Sequence, residues 1–190
     1  MPSSPYSVLF VCTGNICRSA MAERLLAGRL DVHSASVTAA SAGTRAVVGR
    51  PMSSQTRPLV VAHGGDPDGF VARQLDERML RQADLVLGMT REHCDRASTL
   101  EPSAFARIFP LMEFARGVAD EADMSATDDA DRWRRLVAIA TDRRRRGVLK
   151  SMADDDVADP YGHSSAAFTE MARKIVPVID MLVGQAGAQS

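Results

Sequence analysis

The chain has 190 residues, of which 45% are hydrophobic and 25% charged, and its formal net charge is −1. These values are typical of a soluble globular protein with one well-packed domain, and the near-neutral charge argues against a nucleic-acid binder. No apolar run has the length of a membrane span or forms the core of a signal peptide, so we expect a cytoplasmic protein with no membrane partner.

The first predicted element is a strand over residues 7–12, because SVLFVC is a short apolar run rich in β-branched residues. Gly14 and Asn15 interrupt the pattern, and residues 19–30 then combine strong helix formers with spaced apolar positions. Strand, glycine-bearing turn and helix together form the opening of a βαβ unit. A second strand is predicted over residues 36–41, just before Gly43.

The middle of the chain alternates in the same way. A helix is predicted over residues 52–63 with its start obscured by Pro58, and residues 64–69, GGDPDG, form a loop. Strands are predicted over residues 84–89 and 106–111, with helical patterns between them. This alternation indicates an α/β fold whose mostly parallel sheet is covered on both faces. Ligands bind beyond the carboxyl ends of such strands, so the loop after the first strand is well placed to be a site.

The segment over about residues 117–153 is rich in alanine, aspartate and arginine. Apolar residues at helical spacing predict a helix near residues 129–146, namely Trp133, Leu136, Val137 and Ala140. The block Arg143–Arg146 is interpreted as a solvated helix end, with an anionic partner as the alternative. The chain closes with an amphipathic helix, which Pro177 is predicted to kink or break.

Cys12 and Cys17 in VCTGNICRSA raise several possibilities. A zinc site is disfavoured, because paired ligands usually lie two to four residues apart and a second pair is required, whereas only Cys94 remains elsewhere. The spacing also differs from the C-x-x-C of a thioredoxin motif. A Cys-His hydrolase stays open in principle, but none of the four scattered histidines is singled out.

The remaining pattern is Cys12-x5-Arg18, in which the cysteine ends a strand and the arginine begins a helix. Backbone N–H groups of a tight loop followed by a helix N-terminus form a nest for an anion and lower the pKa of a thiol. The Arg18 guanidinium matches two phosphate oxygens, and Ser19 can donate a hydrogen bond to the thiolate. The pattern therefore favours phosphoryl transfer through a cysteine nucleophile, without a metal or another cofactor.

Such a reaction needs a proton donor for the leaving oxygen. Asp159, in DPYG at residues 159–162, is the candidate acid, and Tyr161 could flank an aromatic substrate. An ordinary Asp-Pro turn is the alternative explanation of the same residues.

With both motifs in view, the chain resembles the low-molecular-weight protein-tyrosine phosphatase family of bacterial type. The resemblance is carried in order by VLFVCTGNICRSAMAE at 8–23, SAGT at 41–44, GRPM at 49–52, VARQL at 71–75, ADLVLGM at 83–89 and DPYG at 159–162. It implies one domain over residues 1–190, with a small doubly wound sheet of four parallel strands and a charged helical insertion at about 117–153. It also implies a partner that bears phosphotyrosine, with a bacterial tyrosine kinase as one candidate. The oligomeric state stays open.

The resemblance further assigns residue roles. Cys12 is the nucleophile that forms a phosphocysteine, Arg18 holds the phosphoryl oxygens, and Asp159 acts as acid and then as base. Cys17 is a redox guard of the nucleophile, with a buried small hydrophobe as the alternative. Asn15, Ser19 and Ser41 hold the loop in shape. The predicted substrate-binding residues are Thr13, Gly14, Asn15, Ile16, Cys17, Ser19 and Tyr161.

Some positions depart from the family pattern. Phe70 stands near a histidine that supports the loop in some members, so we expect a shorter hydrogen-bond network here. The cleft wall at Ala46 and Val47 lacks an aromatic residue, and Gly162 replaces a second aromatic residue. Ile16 stands where members specific for phosphoarginine tend to carry threonine, which favours phosphotyrosine. A thiol-dependent arsenate reductase and a phosphate-binding module without turnover remain as alternative functions.

Overall fold

The computed structural model describes residues 5–30, 36–121 and 129–184. Its sheet is built from strands β1 (Tyr6–Cys12), β2 (Val37–Gly43), β3 (Leu85–Gly88) and β4 (Ile108–Pro110). The strand order is β2-β1-β3-β4, and every pair is parallel. The predicted four-stranded parallel sheet is therefore confirmed, with β1 at its centre.

The helices join the strands and cover the sheet. They are α1 (Arg18–Arg29), α2 (Thr56–Ala62), α3 (Glu77–Gln82), α4 (Arg91–Leu100), α5 (Leu111–Val118), α6 (Asp129–Arg145) and α7 (Ser165–Leu182), with short 3-10 turns at Pro102–Arg107 and Ala119–Glu121. Helix α2 begins later than the predicted residue 52. Pro58 lies in its first turn, where a missing N–H leaves no helical bond unmade, and the Ser53 hydroxyl accepts from Thr56 N at 3.1 Å.

Alternate residues of β1 enter two separate cores. Val8 and Phe10 pack in the larger core with residues of α1, α5, α6 and α7, whereas Leu9 and Val11 pack in a smaller core with residues of α3 and α4. Because side chains along a strand point to opposite faces, this division shows that both faces of the sheet are covered. The doubly wound architecture is thus confirmed.

Pro177 was predicted to kink or break helix α7, and the helix runs through Pro177 without a break. Ile175 and Ile179 flank the proline and are fully buried on the face that packs against the larger core. The apolar contacts of this face hold the helix together although Pro177 lacks one N–H donor. Among the described residues, no helix is both long enough and apolar enough to span a bilayer.

Helix α6 belongs to the larger core through Trp133, Leu136 and Ala140, which are all buried. The arginine block at its end is not a free basic patch. Arg143 donates to Gly117 O, and the Arg144 guanidinium lies 3.6 Å from the centre of the Phe109 ring and pairs with Glu113. Arg145 and Arg146 both pair with Asp142. Half of the block is therefore structural, and only its last two arginines form the solvated helix end.

Candidate active site

The loop between β1 and α1 is held from outside through its carbonyl groups. The backbone oxygens of Cys12, Thr13, Gly14 and Ile16 accept hydrogen bonds of 2.9–3.0 Å from the N–H groups of Thr44, Arg45, Val47 and Ser53. Asn15 has a φ of 55°, in the left-handed region where asparagine is among the best-tolerated residues. Since the carbonyls point outward, the loop amides at the start of α1 are directed toward one concave surface suited to an anion.

The Cys12 thiol sits at the bottom of this surface. Its Sγ lies 3.3 Å from Asn15 N, which donates to it, and 2.9 Å from Ser19 Oγ. Asn15 Nδ2 donates to Ser19 Oγ at 2.9 Å, so the Ser19 hydroxyl hydrogen remains for Cys12 Sγ. Two hydrogen-bond donors thus converge on the sulfur.

The Asn15 side chain connects the loop to three other elements. Its Nδ2 also donates to Ser41 Oγ on β2 at 2.7 Å, and its Oδ1 accepts from Arg73 N at 2.8 Å. Ser41 in turn donates to Glu23, whose pKa is raised by burial. The structure therefore brings together the three polar side chains that were predicted to hold the loop, Asn15, Ser19 and Ser41.

The structure shows which group completes the hydrogen bonds of Asn15 near Phe70, and the expectation of a shorter network there stays a prediction. The centre of the Phe70 ring lies 5.4 Å from the Arg24 guanidinium. The backbone N–H of Arg73 supplies the donor that Asn15 Oδ1 requires. A main-chain group therefore completes the hydrogen bonds of this buried amide.

Arg18 joins the loop to the predicted acid. Its side chain is 4% exposed, with Nη1 donating to Val157 O at 3.0 Å and Nη2 to Asp159 Oδ2 at 2.5 Å. Its Nε is buried and has no partner among the described residues. These two hydrogen bonds thus fix the orientation of the guanidinium plane. Its buried Nε–H stays unsatisfied at the place where an anion would bind.

A cavity of about 200 Å³ lies above this loop. Most of the predicted site residues line it, and Arg45 and Val47 add to its wall: the full lining is Cys12, Thr13, Gly14, Ile16, Cys17, Arg18, Arg45, Val47, Asp159 and Tyr161. The Asp159 side chain is 47% exposed, and its Oδ1 accepts from Tyr161 N at 3.1 Å. Asn15, Ser19 and Ser41 are buried outside the lining, so their contacts to the loop support it from within the protein.

His93 is a site residue that the sequence did not single out. It is buried beside the loop, with Nε2 3.0 Å from Thr13 Oγ1 and Nδ1 2.8 Å from Thr90 Oγ1. Burial, followed by the nearby Arg18 charge, lowers the pKa of His93 to about 4, so the ring is neutral at pH 7. His93 could have been found in the sequence from its position shortly after β3. The carboxyl ends of parallel strands lie at one edge of the sheet, so residues that follow β3 lie near the loop that follows β1.

The three cysteines are free thiols and differ in their surroundings. Burial raises the pKa of Cys17, while hydrogen bonds from Ser53 and Thr56 oppose that rise. Burial raises the pKa of Cys94 to about 12, so this thiol is unreactive at neutral pH. Within the described ranges, no three metal-ligating side chains converge. The redox guard role of Cys17 stays a prediction.

Comparison with known proteins shows that the chain is similar to protein phosphatases. The chain is 38% identical over 96 residues to the low molecular weight protein-tyrosine-phosphatase Etp of Escherichia coli K12; the match covers 50% of the chain but only 62% of that relative. It is 37% identical over 124 residues to a protein-arginine-phosphatase of Geobacillus stearothermophilus, covering 63% of the chain and 78% of that relative. Among solved structures, a low molecular weight protein tyrosine phosphatase from T. tengcongensis superposes with a TM-score of 0.68 at 28% identity, covering 94% of the chain and 97% of that structure.

A family model described as low molecular weight phosphotyrosine protein phosphatase matches residues 7–132. The matched region holds the whole sheet and the loop with Cys12 and Arg18. Asp159 lies beyond the matched region, and its role as the acid stays a prediction, supported by its contact with Arg18. The chain belongs to the low molecular weight phosphotyrosine protein phosphatase family.

Proposed function

We propose that the protein is a protein-tyrosine phosphatase that hydrolyses phosphotyrosine through a phosphocysteine intermediate, without a metal. One observation carries the proposal: the Cys12 thiol, the Arg18 guanidinium and the Asp159 carboxyl line the same small cavity. They supply a nucleophile, a planar cation for the phosphoryl oxygens and a proton donor, which together meet the needs of phosphate ester cleavage.

In the first step, the Cys12 thiolate attacks phosphorus while the loop amides and Arg18 hold the phosphoryl oxygens. The S–P bond forms and the bond from phosphorus to the tyrosine oxygen breaks. Protonated Asp159 donates its proton to that leaving oxygen. Arg18 and Asp159 are already 2.5 Å apart, so the acid lies beside the group that holds the phosphate.

In the second step, the Asp159 carboxylate takes a proton from water, and the water oxygen attacks phosphorus. The S–P bond breaks, inorganic phosphate forms, and the electron pair returns to sulfur as the thiolate. The Ser19 hydroxyl stabilises this leaving thiolate, because its hydrogen is directed to Cys12 Sγ.

The cavity mouth supports an aromatic phosphate ester as substrate. Tyr161 is 65% exposed and Val47 is 43% exposed, so both can contact a bound phenyl ring. We propose a cytoplasmic phosphotyrosine-bearing protein as partner, with a bacterial tyrosine kinase as one candidate.

The test uses p-nitrophenyl phosphate under rapid mixing. We expect a burst of nitrophenol followed by slower turnover, unchanged by a chelator and blocked by vanadate. Cys12→Ser should abolish the burst and the turnover, with an unchanged thermal unfolding midpoint as the control for folding. Activity that survives in Cys12→Ser, or no turnover by the parent protein, would overturn the proposal; the second result would instead indicate a phosphate-binding module.

Phosphoarginine is a second candidate substrate, because one of the relatives is a protein-arginine-phosphatase. Ile16 lines the cavity and places an aliphatic side chain against the bound ester, which favours the flat apolar ring of phosphotyrosine. We expect kcat/KM on a phosphotyrosine peptide to exceed that on the matched phosphoarginine peptide. Ile16→Thr should narrow this ratio, and a ratio that already favours phosphoarginine would reassign the substrate.

A further inference from the structure

The loop that carries Asp159 is preceded by three consecutive aspartates, Asp154, Asp155 and Asp156. Each side chain binds a different helix. The contacts are Lys174 Nζ of α7 to Asp154 Oδ1 at 2.7 Å, Arg116 Nη2 of α5 to both oxygens of Asp155 at 2.8 and 2.9 Å, and Arg91 N of α4 to Asp156 Oδ1 at 2.8 Å. The three aspartates therefore attach this loop to three different helices.

Asp155 differs from Asp154 in burial. The Asp155 side chain is 6% exposed, and its Oδ2 also accepts from Met152 N at 2.6 Å, whereas the Asp154 side chain is 91% exposed. A buried carboxylate that accepts from both a cation and a main-chain N–H holds its segment in place strongly. An exposed ion pair, by comparison, contributes only about 0–1 kcal/mol to stability. Asp155 is thus the dominant attachment of the three.

The fixed segment leads directly to the acid. Two residues after Asp155, Val157 is fully buried, with its N–H donating to Met89 O at 2.8 Å and its O accepting from Arg18 Nη1 at 3.0 Å. Asp159 itself is half exposed and is held only by Arg18 and by its own turn. Its place above Cys12 therefore depends on the backbone that Asp155 and Val157 hold.

We propose that Asp155, bound by Arg116, is a positioning residue for the general acid. This rests on the proposed function, since it assumes that Asp159 transfers the proton. Asp155 lies outside the cavity lining, so its effect on the reaction is indirect and passes through the segment that leads to Asp159. A displaced acid slows cleavage most when the leaving group is a poor one, because such a group needs the proton most.

The test compares kcat/KM for phenyl phosphate, which has a poor leaving group, with that for p-nitrophenyl phosphate, which has a good one. Asp155→Asn should lower the phenyl phosphate value about tenfold and the nitrophenyl value about twofold or less, as expected for partial loss of general acid catalysis. Arg116→Gln should shift the ratio in the same direction, because it removes the cation that binds both oxygens of Asp155, together with the bond from Arg116 Nη2 to Lys150 O. Asp154→Asn is the matched control and should leave the ratio unchanged.

The decisive step repeats Asp155→Asn in an Asp159→Ala background, where the ratio should no longer respond. An equal loss on both substrates, or a further loss in the Asp159→Ala background, would show a general structural role and overturn the proposal. A wild-type ratio in both Asp155→Asn and Arg116→Gln would also overturn it. The proposed function is tested separately, because its failure would appear as the absence of a nitrophenol burst and of turnover in the parent protein.

Discussion

The phosphate loop, residues 12–18, and the acid loop, residues 154–161, face each other across the cavity but are held in different ways. Within the phosphate loop, the contacts are short-range and largely neutral, and they join Asn15 to Ser19 and Cys12. The acid loop is held by three helices that lie far away in the chain: α5 and α7 supply the charged side chains of Arg116 and Lys174, and α4 supplies the backbone N–H of Arg91. The phosphate loop also accepts main-chain hydrogen bonds from residues 44–53 and bonds to Ser41 and Arg73 N through Asn15. The difference is therefore one of chemistry: neutral hydrogen bonds hold the phosphate loop, whereas ion pairs supply most of the attachments of the acid loop.

Arg18 is the one residue that the two loops share, so Arg18→Lys tests whether they work as one site. Lysine keeps the positive charge but loses the planar fork that reaches Val157 O, Asp159 and a phosphoryl group together. We expect kcat/KM for p-nitrophenyl phosphate to fall about thousandfold, or ~4 kcal/mol.

Arg73→Lys is the matched control for this change. The Arg73 side chain is 47% exposed, and Arg73 contacts the loop only through its backbone N–H, which lysine retains. Its kcat/KM should stay near the wild-type value. Equal losses in the two variants would mean that the planar fork of Arg18 has no special part in the activity.

The phosphate loop is tested alone by Asn15→Gly and Asn15→Ala. Glycine keeps the left-handed backbone and loses the three side-chain bonds, which should lower the free energy of unfolding by about 2 kcal/mol. Alanine also strains the backbone and should lose about 1 kcal/mol more. Urea unfolding measures both values, and identical values would show that the φ of residue 15 carries no strain.

The comparison also explains what the sequence could predict. The strands, the helix α1 and the phosphate loop could be predicted from patterns within about ten to fifteen residues, because Cys12, Asn15 and Arg18 are close in the chain. The bond of His93 to Thr13 and the pair of Arg116 with Asp155 join residues far apart, and no local pattern reports such contacts. The continuity of α7 through Pro177 likewise depends on packing against the larger core, which overrides the local preference of proline.

His93 provides a pH test of the contact between α4 and the phosphate loop. Its pKa is about 4 in the folded protein against an ordinary 6.5, so the folded chain binds fewer protons than the unfolded chain between these values. The stabilisation is present above pH 6.5 and is lost as the pH falls toward 4, by at most about 1.4 kcal/mol per pH unit.

Urea unfolding of wild type and His93→Gln between pH 4.5 and 7 measures this contribution as the difference between the two curves. Glutamine keeps a side chain that can hydrogen-bond Thr13 but does not titrate. The wild-type curve should fall more steeply on acidification, and parallel curves would contradict the prediction.

The smallest effect is expected at the cavity mouth. Arg45 lines the cavity, is exposed, and has no side-chain hydrogen bond or ion pair among the described residues. Arg45→Gln should raise KM for p-nitrophenyl phosphate about two- to threefold at low salt and less at high salt, as for an exposed charge. Arg50→Gln, also exposed but outside the cavity lining, is the control and should leave KM unchanged.

The ion pair between Arg18 and Asp159 places a carboxylate on the same cation that the proposed reaction uses to hold the phosphoryl group. In the proposed reaction, the carboxylate of Asp159 and the phosphoryl group of the substrate would therefore compete for Nη2 of Arg18. Protonation of Asp159 weakens that attraction and also creates the form that can donate a proton. In this mechanism, the protonated form of Asp159 both frees Arg18 for the substrate and supplies the proton of the first step. Substrate binding and proton donation therefore depend on the same form of Asp159.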